Sequence, residues 1–357
     1  MEGTPLLELR GLIKRFPAPR WGEWVWAVND VSLVLRRGET LGLVGESGSG
    51  KTTVGRCVLR LLEPTAGQIL LDGAEITRLK RRELRSLRRR VQIVFQEPYD
   101  ALDPRRTIGE AIGEPLGMDP DLDAAGRVAK VRDAAGLVKI PPEALGRFPH
   151  EMSAGMLQRA GIARAMVCEP ELVVLDEPTS LLDATARAEI IALLEDVQRR
   201  TGVAYIFISH DLTTVEHMSH RVAVMYLGKI VETGSREQIF SRPTHPYTRS
   251  LLSAVLYPDP GVKQDPTPLV GEIPSPINLP SGCALHTRCP VATSACPGTT
   301  PELVDIGHGH EVSCIRLAPL GGQIAEEDQR IEWRGPRGFD FRVLDDDESH
   351  GVVRSNR

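Results

Sequence analysis

Gly45-Glu46-Ser47-Gly48-Ser49-Gly50-Lys51-Thr52-Thr53 decides how this 357-residue chain is read. An apolar run, residues 41–44, precedes it, and a helix-compatible run, residues 54–62, follows. The spacing G-x-x-x-x-G-K-T between a strand and a helix is that of a phosphate-binding P-loop. Glycines let such a loop wrap backbone N–H groups around phosphate oxygens, and the following helix points its positive end at them. In that frame residues 45–53 cradle a nucleoside triphosphate. Lys51 reaches the β- and γ-phosphates, and the Thr52 hydroxyl is offered to Mg²⁺.

Upstream, residues 6–16 partly alternate apolar and polar, as an edge or half-buried strand does. A Pro- and Trp-rich stretch, residues 17–26, reads as an insertion. Residues 28–35 alternate again and end at the turn Arg37-Gly38. Phe16, with Trp24 and Trp26 behind it, is a candidate to stack on a base; packing within the first sheet explains it equally well. Downstream, residues 68–73 read as a strand entering a turn. The basic segment 80–90 reads as a solvated helix face or a contact to an anionic partner. Val91-Gln92-Ile93-Val94-Phe95 is a short buried strand that ends on Gln96. Between residues 98 and 159, helix-like pieces (108–112 and 127–137) are punctuated by Pro104, Pro115, Pro141 and Pro142. That texture predicts an inserted helical subdomain.

Leu172-Val173-Val174-Leu175 runs into Asp176-Glu177, a buried strand delivering carboxylates at its C-terminal end, where open α/β sheets bind ligands. Asp176 is assigned to Mg²⁺, and Glu177 to orienting or deprotonating the attacking water. Residues 203–208 form another buried strand, which ends at Ser209-His210-Asp211 and brings His210 within reach of a γ-phosphate.

Hydrophobic content of 41% and charged content of 25% suit a soluble protein with two cored domains. A net charge of −5 gives no reason to expect a nucleic-acid partner. No run approaches the ~18 apolar residues of a membrane span, and Met1-Glu2-Gly3-Thr4-Pro5 does not open an export signal. A cytoplasmic location follows, so the six cysteines are expected to be thiols or metal ligands.

Together these residues resemble the ATP-binding subunit of an ABC transporter, and within that family the oligopeptide/dipeptide importer group. The P-loop, Gln96, Asp176-Glu177, Ser180-Leu181-Leu182-Asp183 and His210 follow the family's order. Phe95-Gln96-Glu97-Pro98-Tyr99 with Leu102-Asp103-Pro104-Arg105, and Pro243-Thr244-His245-Pro246-Tyr247-Thr248, are similar to runs of the importer group. The resemblance implies a role for Gln96 at the Mg²⁺ and the membrane coupling, and for Asp183 at the nucleotide. It implies a second ATP-binding subunit, homomeric or paralogous, with two ATPs sandwiched between the pair. It implies membrane permease subunits and, indirectly, a substrate-binding protein, with the chain peripheral on the cytoplasmic face. The family's signature loop, Ser-Gly-Gly, reads Ser153-Ala154-Gly155-Met156 here. Ser153 and the Gly155 N–H can still meet a phosphate. Ala154 compromises the loop if that position needs a positive φ or close approach to phosphate, and is harmless otherwise.

Cys283, Cys289, Cys296 and Cys314 lie within a Pro- and Gly-rich segment that can bury little core. Four thiolates there suggest a tetrahedral metal site. Zinc sites pair cysteines more closely than this, which suits an iron–sulfur cube. The importer tail that the segment resembles also points to a [4Fe–4S] cluster. Zinc and free thiols stay open, with His286, His308 and His310 as substitute ligands. Cys57 and Cys168 read as core residues.

The expected fold is α/β, a RecA-like P-loop ABC ATPase core with appendages. Residues 1–97 and 160–240 form the core, 98–159 the helical subdomain with the signature loop, 241–318 the small cysteine-containing tail, and 319–357 a polar, acidic end. The expected function is ATP hydrolysis that powers uptake of di- or oligopeptides. Two rivals are a regulatory nucleotide-binding subunit with a degenerate site and a soluble ABC ATPase outside transport.

Overall fold

The computed structural model describes residues 4–80, 82–119, 121–254 and 269–317. The acidic stretch at 345–348, with the rest of the 319–357 end, lies outside the described residues. The first part of the chain runs β1 (Leu7–Pro17), β2 (Trp24–Leu35), β3 (Thr40–Val44), α1 (Lys51–Val58), β4 (Ala66–Leu71), β5 (Ala74–Glu75), α2 (Leu84–Arg90) and β6 (Val91–Val94). Helices α3 (Pro98–Ala101), α4 (Ile108–Gly113), α5 (Ala124–Leu137) and α6 (Ala154–Met166) follow. Then come β7 (Leu172–Asp176), α7 (Ala184–Thr201), β8 (Ala204–Ile208), α8 (Leu212–Met218), β9 (Arg221–Tyr226) and β10 (Lys229–Ser235). Helices α9 (Arg236–Ser241) and α10 (Pro246–Ser253) lead to the short strands β11 (Val304–Asp305) and β12 (Glu311–Val312).

Leu7, Leu9 and Leu12 are buried while Glu8 and Arg10 turn outward, so β1 has one wet face. It joins an antiparallel sheet in the order β2-β1-β4-β5. The larger sheet has the order β11-β12-β10-β9-β3-β8-β7-β6, parallel from β9 to β6. Every residue of β3, β7 and β8 is buried. Parallel strands covered on both faces need continuous apolar runs, which is what these segments supply.

The insertion expected over residues 17–26 needs correcting. Trp24, Val25 and Trp26 belong to β2 and pair with Pro17, Phe16 and Arg15 of β1, leaving a turn at 18–23. Aromatic and β-branched residues favour a pleated surface, and the Arg15 guanidinium stacks on Trp24 at 4.4 Å and Trp26 at 5.6 Å.

Helices α3 to α6 pack on one another, and α6 runs on through residue 166. At the other end of the larger sheet, β10 pairs with β9 and, on its outer side, with β12. Glu232 of β10 is fully buried. Its carboxylate accepts the N–H groups of Thr244 at 2.8 Å and His245 at 3.1 Å, and lies 2.8 Å from His310 Nε2. His245 then caps α10, its Nδ1 accepting the Tyr247 N–H at 3.2 Å. Among the described residues no helix is long and apolar enough to cross a membrane.

Candidate nucleotide-binding site

Strand β3 delivers the P-loop, and its glycines are there for steric reasons. Gly45 (φ 147) and Gly50 (φ 106) have positive φ, and a Cβ at either would collide with the carbonyl of Met225 or Ala27. Lys51 is only 6% exposed. Its Nζ donates to the carbonyls of Gly45 at 2.8 Å and Glu46 at 2.9 Å and to Ser49 Oγ at 3.3 Å. The loop therefore folds around its own ammonium group. Burial pulls the Lys51 pKa down, and the negative charges of Glu177, Asp176 and Glu46 oppose that shift.

Thr52 Oγ1 donates to Asp176 Oδ1 at 2.9 Å, joining the first turn of α1 to the end of β7. Burial pushes the Asp176 carboxyl up, and the Thr52 hydrogen bond and nearby cations pull the other way. A buried carboxylate bonded to a neutral hydroxyl is an oxygen donor set of the kind that hard divalent cations take. The residues present therefore fit Mg²⁺. Glu177 has a left-handed backbone (φ 50), and its N–H donates to the Ile208 carbonyl at 2.9 Å. Its carboxylate meets His210 Nδ1 at 3.1 Å, and the His210 side chain is 64% exposed. Gln96 is exposed just beyond β6. Because β3, β8, β7 and β6 are neighbours in that order, Lys51, His210, Glu177 and Gln96 follow the C-terminal ends of adjacent strands.

Phe16 pairs with Val25, two residues before Ala27, whose carbonyl crowds Gly50; Lys14 Nζ covers the Phe16 ring at 4.9 Å. Ser153 caps α6, its hydroxyl accepting the Met156 N–H at 3.4 Å. Ala154 is the first residue of that helix and is not among the described residues with positive φ. A positive φ, one of the two conditions under which Ala154 would compromise the loop, is therefore absent. A cavity of about 550 Å³ brings Ser153, Ala154 and Gly155 beside Leu182 and Asp183, and Asp183 caps α7 by accepting the Ala186 N–H at 2.9 Å.

The cysteine-bearing segment is less organised than the nucleotide site. All four are free thiols: Cys296 is buried and Cys283, Cys289 and Cys314 are half-buried. The Cys283 N–H donates to the Cys296 carbonyl at 2.9 Å. Burial pushes up the thiols of Cys283, Cys289 (to about 11) and Cys314, and the charge of the neighbouring cysteines adds to it. Yet among the described residues no three Cys, His, Asp or Glu side chains are grouped as metal ligands. Among the described residues, then, the four thiols do not form a preassembled ligand set. Of the substitute ligands, His310 is engaged by Glu232, and His286 Nδ1 lies 2.8 Å from the Cys283 carbonyl oxygen. Cys57 is fully buried in α1, and burial pushes its thiol to about 11.

Sequence reasoning missed what holds Glu46. Its carboxylate accepts from Arg288 Nη1 at 2.9 Å and Nη2 at 3.2 Å, and its N–H donates to the Tyr247 hydroxyl at 2.8 Å. These partners lie 242 and 201 residues away, beyond any local signal.

Comparison with known proteins agrees with this geometry. Residues 28–180 match the sequence family described as ABC transporter, and residues 231–296 match the oligopeptide/dipeptide transporter C-terminal region. The oligopeptide transport ATP-binding protein OppF of Escherichia coli is 44% identical over 325 residues, covering 88% of this chain and 97% of OppF. The oligopeptide transport ATP-binding protein AppF of Bacillus subtilis is 45% identical, covering 87% of this chain and 96% of AppF. The dimeric ATP-binding cassette MJ0796, in a post-hydrolysis state bound to ADP and Pi, superposes with a TM-score of 0.59 at 25% identity. That match covers 64% of this chain and 98% of MJ0796.

Proposed function

Because this chain belongs to the ATP-binding proteins of the ABC transporter family, as an ATPase carrying the oligopeptide/dipeptide C-terminal region, we propose that it powers the uptake of di- or oligopeptides. It does so through separate membrane permease subunits, from the cytoplasmic face, with a substrate-binding protein delivering the cargo. A second ATP-binding subunit faces it, so that each P-loop nucleotide is closed by the partner's signature loop. The observation that carries this reading is the convergence of Lys51, the Thr52–Asp176 pair and the Glu177–His210 pair at one sheet edge, in a chain that also carries the C-terminal region.

The chemistry follows from those side chains. Thr52 and Asp176 would hold Mg²⁺, which when bound would neutralise phosphate charge. Backbone N–H groups of residues 45–53 cradle the phosphates, and Lys51 balances the charge that grows on the γ-phosphoryl oxygens. Glu177 aligns the attacking water and accepts its proton. His210, against the Glu177 carboxylate, fixes its orientation and reaches towards the γ-phosphate. Ser153, Gly155 and Asp183 serve the nucleotide of the partner subunit, Gln96 links the metal site to the helical subdomain, and Phe16 lies against the base. Co-purification of the chain with its membrane subunits, reconstitution into vesicles and measurement of peptide uptake tests the reading. Uptake should need ATP and an intact Lys51; a complex that hydrolyses ATP but moves no peptide refutes the peptide assignment.

The four cysteines of the C-terminal segment carry a separate proposal. We propose that Cys283, Cys289, Cys296 and Cys314 close on a [4Fe–4S] cluster when iron and sulfide are supplied. Protein purified without oxygen should be brown, with about four iron and four sulfide per chain. One zinc per chain, or no metal at all, refutes it.

A further inference from the structure

Glu46 is the only carboxylate within residues 45–53, and it stands where a polyanion must dock. Left unpaired, it would repel the phosphates and compete for Lys51, whose Nζ already bonds the Glu46 carbonyl. The molecule does not leave it unpaired. Arg288, between Cys283 and Cys289, grips the carboxylate with two hydrogen bonds of 2.9 and 3.2 Å, and its side chain is only 9% exposed. Such two-pronged contacts fix direction as well as charge. Tyr247 holds the backbone of the same residue, accepting the Glu46 N–H at 2.8 Å. The two grips are themselves linked. The Tyr226 and Tyr247 rings pack at 4.7 Å, and the Arg288 guanidinium lies 5.9 Å from the Tyr226 ring. Both elements that seize the loop belong to the C-terminal region.

We infer that the C-terminal region is a working part of the nucleotide site, with Arg288 and Tyr247 as positioning residues that neutralise Glu46 and fix its backbone within the P-loop. The inference rests on the nucleotide reading of residues 45–53. It also gives the cysteine-bearing segment a route to that site, since Arg288 is the immediate neighbour of Cys289 in the chain.

The test measures binding of a fluorescent ATP analogue with Mg²⁺ to the full chain. K51A should abolish binding, and intact binding in K51A refutes the site reading and the inference with it. R288M should weaken binding about tenfold, the scale of a lost charge-assisted hydrogen bond, and R288K, which keeps the charge but not the fork, should fall between. In an E46Q background, where there is no carboxylate to neutralise, R288M should change binding by less than about threefold. Y247F should weaken binding in the same direction as R288M but by less. If K51A loses binding while R288M stays within about twofold of the parent, the inference fails and the site stands. An R288M effect of equal size in the parent and in the E46Q background refutes positioning, because general loosening of the region does not depend on that charge.

Discussion

Replacing Glu232 by alanine should detach the C-terminal region from the sheet, and the size of the effect follows from what the side chain holds. Glu232 is fully buried and satisfies two backbone N–H groups as well as His310. Alanine leaves all three without a partner and opens a gap where water has poor access. Each stranded buried donor costs about 1–3 kcal/mol, and removal of one member of a buried polar pair costs about 3–5 kcal/mol. A loss of about 3–5 kcal/mol is therefore expected, a large part of the stability of a typical domain. For a protein of this size that is a fall of about 10 °C in Tm. The damage should begin locally, since the stranded N–H groups belong to Thr244 and His245 and the latter caps α10. Thermal unfolding with hydrogen exchange across β10, β12 and α10 checks this. Faster exchange confined to those segments is expected, and E232Q should fall between parent and alanine because its amide can accept only on one side. Nucleotide affinity should drop too, because α10 carries Tyr247 to Glu46. A Tm within about 3 °C of the parent, with unchanged exchange, refutes the reasoning.

Other perturbations give separate checks. Glu177→Gln keeps shape and nucleotide binding but removes the proton acceptor, so steady-state ATPase assays should show kcat lower by about 10²–10⁴; a drop of less than about fivefold removes Glu177 from the chemistry. Ala154→Gly should leave ATPase activity of the assembled transporter within about twofold, because residue 154 has ordinary helical backbone and Gly there costs at most about 1 kcal/mol; a marked rise would show that its Cβ obstructs phosphate. Burial pulls the pKa of His245 down to about 4 from 6.5. The unfolded chain therefore takes up that proton first. The stability this residue supplies is whole above pH 6.5 and falls by about 1.4 kcal/mol per pH unit between pH 6.5 and 4. Denaturant titrations over that range should show a shallower slope in H245N, which keeps an α10 cap; an identical slope rules out His245 as the source.

The parts that were legible in the sequence share one property: their residues are adjacent in the chain. The strand, loop and helix around Lys51, and the apolar run ending in Asp176-Glu177, each carry their physics within a dozen positions. Residues 17–26 misled because Pro17 and Gly22 look like loop formers, while the cross-strand partners that make Trp24 and Trp26 a strand come from β1. Strands β9 and β10 carry a readable signal, the apolar run Val222-Ala223-Val224-Met225-Tyr226 turning at Leu227-Gly228, without a residue pattern that marks a site. Ala154 was undecidable because the chain does not announce which residue caps a helix; Ser153 takes that role and leaves Ala154 an ordinary first helical position. Glu46 occupies a variable position of the loop pattern, so its grip by Arg288 and Tyr247 emerges only once the ends of the chain meet.

The pairing of β12 with the outer side of β10 has a practical consequence for anyone shortening this protein. Without residues 304–312, β10 becomes the border of the larger sheet and loses its outer partner at Glu232-Thr233, within a stretch, Ile230-Val231-Glu232-Thr233, whose side chains are all buried in the intact chain. Bare, apolar strand borders recruit one another. A minimal cassette cut after α10 would therefore carry an adhesive rim, and its tendency to clump would come from the missing cover rather than from a weaker ATPase core.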